Sequence, residues 1–220
     1  MPRTNARQEP VRAPIQKRSQ KRVEQILDAS KTLISEKGTA GLKMGDIAAT
    51  AGISMASIYQ YFPNKRAIVA TLAKAQLDAN TKKNEEILSE RPASLRELSH
   101  ITTRLLNQYY DMTRDDPVVN DILMGYATDK EVQSVDHADT LRNRDAIFEA
   151  SKHLFLEDRH EEAKRALLLI VSLGGAAVLA AIQFDTREGR KTMDEAIRML
   201  DAAWTTSILP LERPKSDTKG

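Results

Sequence analysis

The side chains able to do chemistry gather in one stretch, Met44 to Lys65, reading MGDIAATAGISMASIYQYFPNK. At helical spacing Ile47, Ala48 and Ala51 form one inner face and Ile53, Ile58 and Phe62 another, with Gly52 between them where a tight turn needs positive φ. Facing outward are Met55, Ala56, Tyr59 and Gln60, with Tyr61 and Lys65 at the far end. Ser54 stands as the N-cap of the second short helix, and Ser57 adds a hydroxyl in its first turn. Such groups exchange hydrogen bonds, touch methyls and neutralise anions. A polar face on the second of two crossed helices suits the base edges of the major groove in double-stranded DNA. Met55 and Ala56 fit thymine methyls better than a bidentate guanine contact. The alternative for Tyr59 and Tyr61 is aromatic packing inside a small three-helix domain, although Ile58 and Phe62 already fill the inward positions.

Bond-making chemistry finds no comparable cluster. There is no cysteine, which excludes disulfides, thiolate zinc sites and cysteine nucleophiles and fits a reducing, cytoplasmic location. The four histidines (His100, His137, His153, His160) are scattered, and His153, Glu157 and His160 would share a face only if one helix ran through Asp158-Arg159, which reads as a boundary. No phosphate-binding glycine loop, serine elbow or nucleotide fingerprint is present. The sequence therefore predicts no enzyme, no cofactor and no metal.

Charge divides the chain although its formal net value is only +2. Residues 1–75 carry 13 Lys/Arg against 5 Asp/Glu, whereas residues 76–220 carry 20 against 26. A basic head on an acidic body suits a polyanion at one end only. The first 22 residues hold seven basic groups against Glu9 alone, with three prolines, and read as a disordered arm over residues 1–18 that seeks phosphates.

The elements that must position these groups are helices. After residue 19 apolar residues recur at helical spacing and no stretch alternates as a strand. The spacing predicts helices from Ser19 to Lys37 with Gly38 as the stop, from Met44 to Ala51, a short one opened by Ser54, and one from Asn64 to Ser89. Ser94-Leu95-Arg96-Glu97 is a capping-box pattern opening another, and Asp116-Pro117 caps the next. Residues 130–157, 161–184 and 192–209 complete the set, the last two separated by a charged turn containing Gly189. The fold class is all-α: a three-helix helix-turn-helix domain over 19–66, linked by the helix 64–89 to a helical ligand-binding and dimerisation domain over 67–210, with a frayed tail over 211–220.

The segment Arg18 to Leu72 resembles the TetR/AcrR family of bacterial regulators. The likeness rests on Ile26-Leu27-Asp28-Ala29, Leu33 to Gly38, Asp46-Ile47-Ala48, Ala51 to Ser54, Ile58 to Phe62, and Asn64-Lys65-Arg66, with Arg22 ahead of them. It implies that the second short helix is the recognition helix, that Tyr59 and Tyr61 contact DNA, and that Lys65 holds a phosphate; Arg18, Arg22 and Lys43 supply further phosphate contacts. The family usually has a small hydroxyl residue where Lys43 stands, and often a base-reading side chain where Gly45 stands. Base reading here falls to Met55, Ala56 and Tyr59, together with the arm.

The resemblance further implies a homodimeric repressor, bound to a palindromic operator and released by a small-molecule effector. Tyr109, Tyr110, Met112, Met124, Tyr126 and Phe148 are the candidates for the effector pocket, with ordinary core packing the alternative for each. Ala166 to Phe184 is nineteen residues without a charge, long enough to span a membrane. Its alanines, with Ser172, Gly174, Gly175 and Gln183, favour a helix buried all round, partly against a second copy. Leu173, Gly174, Leu200 and Trp204 are the candidates for the dimer face. The other reading of the body is a ligand-independent regulator that recruits a protein partner.

Overall fold

The computed structural model describes residues 12–125 and 130–212. They form helices, joined by turns and one isolated antiparallel bridge between Phe155 and Glu212. The chain divides after Ile68 into two compact units.

The first unit holds α1 (Arg12–Lys37), α2 (Met44–Thr50) and α3 (Met55–Tyr59). α1 begins at Arg12 rather than Ser19, so residues 12–18 are helical and not part of an arm; residues 1–11 lie outside the described residues. Gln16, Lys17 and Arg18 favour a helix, and Pro14 sits in the first turn, where its missing N–H costs nothing. Ile26, Leu33 and Ile34 from α1, Ile47 from α2, and Ile58 and Phe62 around α3 are buried together with Leu42. α1 stops at Gly38, whose N–H donates to Ile34 O at 2.8 Å.

α4 (Lys65–Leu88) is one helix running across the division between the units. The second unit adds α5 (Leu95–Asp115), α6 (Pro117–Gly125), α7 (Lys130–Ser151), α8 (His160–Ala181) and α9 (Thr186–Ala203), closed by a π-helical turn at Trp204–Ile208 and a 3-10 turn at Leu209–Leu211. Ser94 caps α5 by accepting from Glu97 N at 3.2 Å, while the Glu97 carboxylate accepts from Ala93 N at 2.7 Å. Asp116 caps α6 through Val118 N and Val119 N. The main core gathers Leu98, Phe148, Phe155, Leu167, Trp204 and Ile208. A smaller one gathers Tyr110, Val178, Ala181 and Met193.

Three sequence expectations about elements are corrected. α7 ends at Ser151, and 3-10 turns at Lys152–Leu154 and Glu157–Arg159 occupy the rest of the span read as helix. α9 starts at Thr186, because Asp185 accepts from Arg187 N and Glu188 N and caps it six residues before the expected start at Thr192. Gly189 is therefore inside a helix. A Cβ there would lie 2.6 Å from the Tyr110 hydroxyl and 2.7 Å from Ala181 O, so glycine is required by close approach and not by a turn. α8 is not buried all round. Ala163, Leu167, Ile170, Gly174 and Val178 form its buried stripe, while Leu169 and Leu173 are 61% and 56% exposed. The stretch Glu157–Ala181 is long and apolar enough to cross a membrane by length and composition alone, with 28% of its apolar window buried.

Candidate nucleic-acid interface and ligand cavity

The helix-turn-helix is set by backbone hydrogen bonds that its residue types permit. Ala51 N donates to Ile47 O at 2.8 Å, closing α2, and Ile53 N donates back to Ala48 O at 3.0 Å. Between them Gly52 takes φ +64°, a left-handed conformation that a side chain would strain. Ser54 then caps α3, its hydroxyl accepting from Ser57 N at 3.1 Å. Asn64 caps α4, accepting from Ala67 N at 3.0 Å.

With Ile58 fully buried, the opposite side of α3 is left to solvent: Met55 is 42% and Tyr59 52% exposed, and Ala56 and Gln60 are exposed as well. Ser54 is exposed and Ser57 half-buried, so the structure brings these six together on and around one helix. Packing is thereby dismissed for Tyr59, while Tyr61 is half-buried beside Phe62. Ala51 and Ile53, read as inner residues, are also only half-buried. Lys65 donates from Nζ to Ala40 O at 3.3 Å, which fixes one of its three N–H bonds and leaves two for an anion. Lys43 and Arg18 are exposed, and Arg22 donates to Gln25 Oε1 at 3.1 Å. Gly45 faces open space: a Cβ there meets nothing within 4 Å. Lys37 and Asp46 form an ion pair at 2.5 Å between α1 and α2, and that hydrogen bond holds the Asp46 carboxyl below its ordinary range.

The second unit encloses a cavity of about 400 Å³ with two unlike sides. Asn80 and Asn84 of α4 and Asp136, Asp139 and Asn143 of α7 make a polar side. Ile170, Val171 and Leu179 of α8 with Ile197, Leu200 and Trp204 make an apolar one. The polar side is wired together. Gln108 of α5 donates to Asn80 Oδ1 and Asn84 Oδ1 at 3.3 and 3.1 Å, and Asn84 donates to Asn143 Oδ1 at 2.9 Å. Asn143 donates to Asp139 Oδ2 at 2.8 Å, and Thr81 to Asp139 Oδ1 at 3.2 Å. Arg142 bridges Asp139 and Asp78, at 2.8 Å each. Burial raises the Asp139 carboxyl above its ordinary range even so. Asp136 stands open to the cavity edge, yet desolvation by the surrounding protein, and then the Asp139 charge, raise its carboxyl too. Burial pushes the Tyr109 phenol far upward, aided by both carboxylates.

Of the six residues expected in the pocket, Tyr109 alone lines this cavity among the described residues. Tyr110 is core, with Arg114 and Arg190 over its ring, and Phe148 packs on Phe155 and His160. Met112 borders a separate small cleft with Tyr109, Met124 is exposed, and Tyr126 lies outside the described residues. The dimer-face candidates are likewise redistributed. Trp204 is 3% exposed and shares the cavity lining with Gly174 and Leu200, so only Leu173 is on an open face. Apolar and aromatic residue types mark the core, and they do not say which face of an apolar helix looks into a cavity. The cavity's own signal was polar residues at helical spacing on otherwise internal faces: Asn80 and Asn84, then Asp136, Asp139 and Asn143.

Comparison with known proteins finds a family match over each of two stretches of the chain. Residues 26–72 match the family described as bacterial regulatory proteins, tetR family, and residues 96–206 match the tetracyclin repressor-like C-terminal domain. A fatty acid metabolism regulator protein from Bacillus subtilis is 30% identical over 80 residues, which cover 36% of this chain and 41% of that protein. The chain thus aligns with less than half the length of this curated relative. Among solved structures, a TetR-family regulator from Streptomyces coelicolor superposes with a TM-score of 0.64 at 23% identity, covering 85% of this chain and 99% of that one. The regulator FadR from Bacillus subtilis, in complex with stearoyl-CoA, gives 0.60 at 18% identity, covering 82% and 98%. The chain belongs to the TetR family and is a DNA-binding transcription regulator of the helix-turn-helix class.

Proposed function

We propose that the chain is a homodimeric, cytoplasmic repressor that grips a palindromic operator through α3 and is released when a small molecule fills the second unit's cavity. The observation that carries the ligand-release half of this reading is the two-sided cavity of about 400 Å³, within the size range of small-molecule sites. Its polar side includes Asn80 and Asn84 of α4, and α4 is the helix that begins at Lys65 beside the helix-turn-helix. A ligand that pulls on those two amides biases the helix leading to the DNA-reading end, which is the differential contact that a switch needs.

In this reading Met55, Ala56, Tyr59 and Gln60 meet base edges, with Ser54, Ser57 and Tyr61 flanking them, while Arg18, Arg22, Lys43 and Lys65 hold phosphates. The second copy docks on the apolar face that carries Leu169 and Leu173 of α8 and the exposed Met199 of α9.

The test is fluorescence anisotropy on DNA from upstream of the protein's own gene, at low salt, with Gly175→Leu as the control. Gly175 lines the cavity, and a Cβ there meets nothing within 4 Å, so a leucine side chain starts from open space and takes up cavity volume. We expect wild type and Gly175→Leu to bind this DNA alike, and an inducing compound to release only the wild type. Absence of any bound fragment at low salt contradicts the repressor reading. Equal release of both proteins contradicts the role of the cavity.

A further inference from the structure

Taking the cavity as the effector site, we infer that its ligand is an organic cation with an apolar body, the charge seated against Asp136 and the body lying along α8 and α9. The residues that line the cavity include three carboxylates, Asp136, Asp139 and Asp201, and no lysine or arginine among the described residues. The three are not equivalent. Asp139 is already answered by Arg142, Thr81 and Asn143, and Asp201 accepts from Ser99 Oγ at 3.3 Å. Asp136 makes no hydrogen bond or ion pair among the described residues, and the His137 imidazole next to it is the one base in the lining. A carboxylate without a hydrogen bond on the polar side of the cavity favours a positive charge, which offsets its repulsion by Asp139 more fully than His137 does.

Aromatic residues complement both ends of such a ligand. Tyr109 lines the cavity, and aromatic rings attract cations, quaternary ammonium groups among them, while Trp204 stands on the apolar side with the body. The Asp136 and Asp139 charges also raise the Tyr109 phenol, after burial, and all three residues line the one cavity. The upward displacement of the Asp136 carboxyl points the same way, since desolvation by the surrounding protein and then the Asp139 charge disfavour its ionised form, outweighing the His137 charge. A carboxylate, or the phosphates of a coenzyme A thioester, would meet like charges in this lining. The chain thus departs in ligand class from the relative solved with stearoyl-CoA.

The probes are four molecules with one tail: octyltrimethylammonium, octanoate, octanol and octanoyl-CoA. Occupancy is read from the fluorescence of Trp204, the sole tryptophan of the chain, in the full-length protein. Octyltrimethylammonium is expected to bind about tenfold tighter than octanoate and to release DNA. In Asp136→Asn that preference shrinks to about twofold while octanol binding is unchanged, which also shows that the variant is folded. Equal or tighter binding of octanoate or octanoyl-CoA overturns the cation assignment, as does an unchanged preference in Asp136→Asn. If octanol, octanoate or octanoyl-CoA releases DNA from wild type and not from Gly175→Leu while the ammonium does neither, the ligand class falls and the effector site stands. If none of the four changes Trp204 fluorescence, the cation assignment and the effector site fall together.

Discussion

Lys65 ties the start of α4 to the loop after α1 through its bond to Ala40 O, and in the proposed function its remaining N–H groups hold a phosphate. Lys65→Ala should lower affinity for all DNA sequences and reduce the slope of log affinity against log salt by about 1. The melting temperature should move by less than about 2 °C, because one exposed hydrogen bond is lost. An unchanged salt slope would place Lys65 in the fold only. Asp136 gives a second prediction of definite sign. Its folded pKa is raised, so its protonated form favours the fold and that contribution is lost as pH rises through the raised value. At neutral pH the ionised carboxylate is a liability beside Asp139, with Asp201 and His137 also lining the cavity and Arg142 paired to Asp139. Asp136→Asn should therefore melt higher than wild type at pH 7, and the difference should close as pH falls below the ordinary aspartate range, as followed by circular dichroism. A variant that melts lower at pH 7 would show Asp136 to be stabilising.

The elements show where sequence is a sufficient guide and where it is not. Ser54, Ser94 and Asp116 were legible as caps because each precedes an apolar run and accepts from an N–H two or three residues on. The exposed face of α3 was legible for the same local reason, since Ile58 and Phe62 fix which side turns inward. Asp185 was missed because Gly189 looks like a turn, whereas it is needed for the approach of Tyr110 from α5, a contact between residues far apart in sequence. Gly189→Ala should cost about 1–3 kcal/mol, as overpacking does, and lower the melting temperature accordingly. No loss would show that α5, α8 and α9 repack freely there. The cavity was illegible for a related reason. Asp139 and Asn143 meet α4 only through hydrogen bonds to Thr81 and Asn84, residues 58 and 59 positions earlier in the chain, and with Asp136 they then line one side of an internal space.

At the scale of the whole molecule, the chain combines a helix-turn-helix, a continuous α4 and an apolar face on α8 that no described residue covers within one copy. Leu169 and Leu173 are one turn apart and both more than half exposed, which is an unstable arrangement for a soluble monomer. Leu173→Glu should convert a dimer to a monomer in light scattering at micromolar concentration and weaken operator binding, while leaving the helical circular dichroism unchanged. A dimer that survives the substitution would put the interface elsewhere. In the proposed dimer two copies of α3 would read half-sites about 34–36 Å apart, one turn of B-DNA.

The most direct measurement is a nuclease footprint of the upstream region by the full-length chain beside Tyr59→Ala, a side chain 52% exposed on α3. The wild type should give a two-fold symmetric protected site with half-sites about 10 base pairs apart, and a Tyr59→Ala protein that melts normally should lose that protection. Equal protection by the two proteins, or no protected site at low salt, would contradict operator binding through α3.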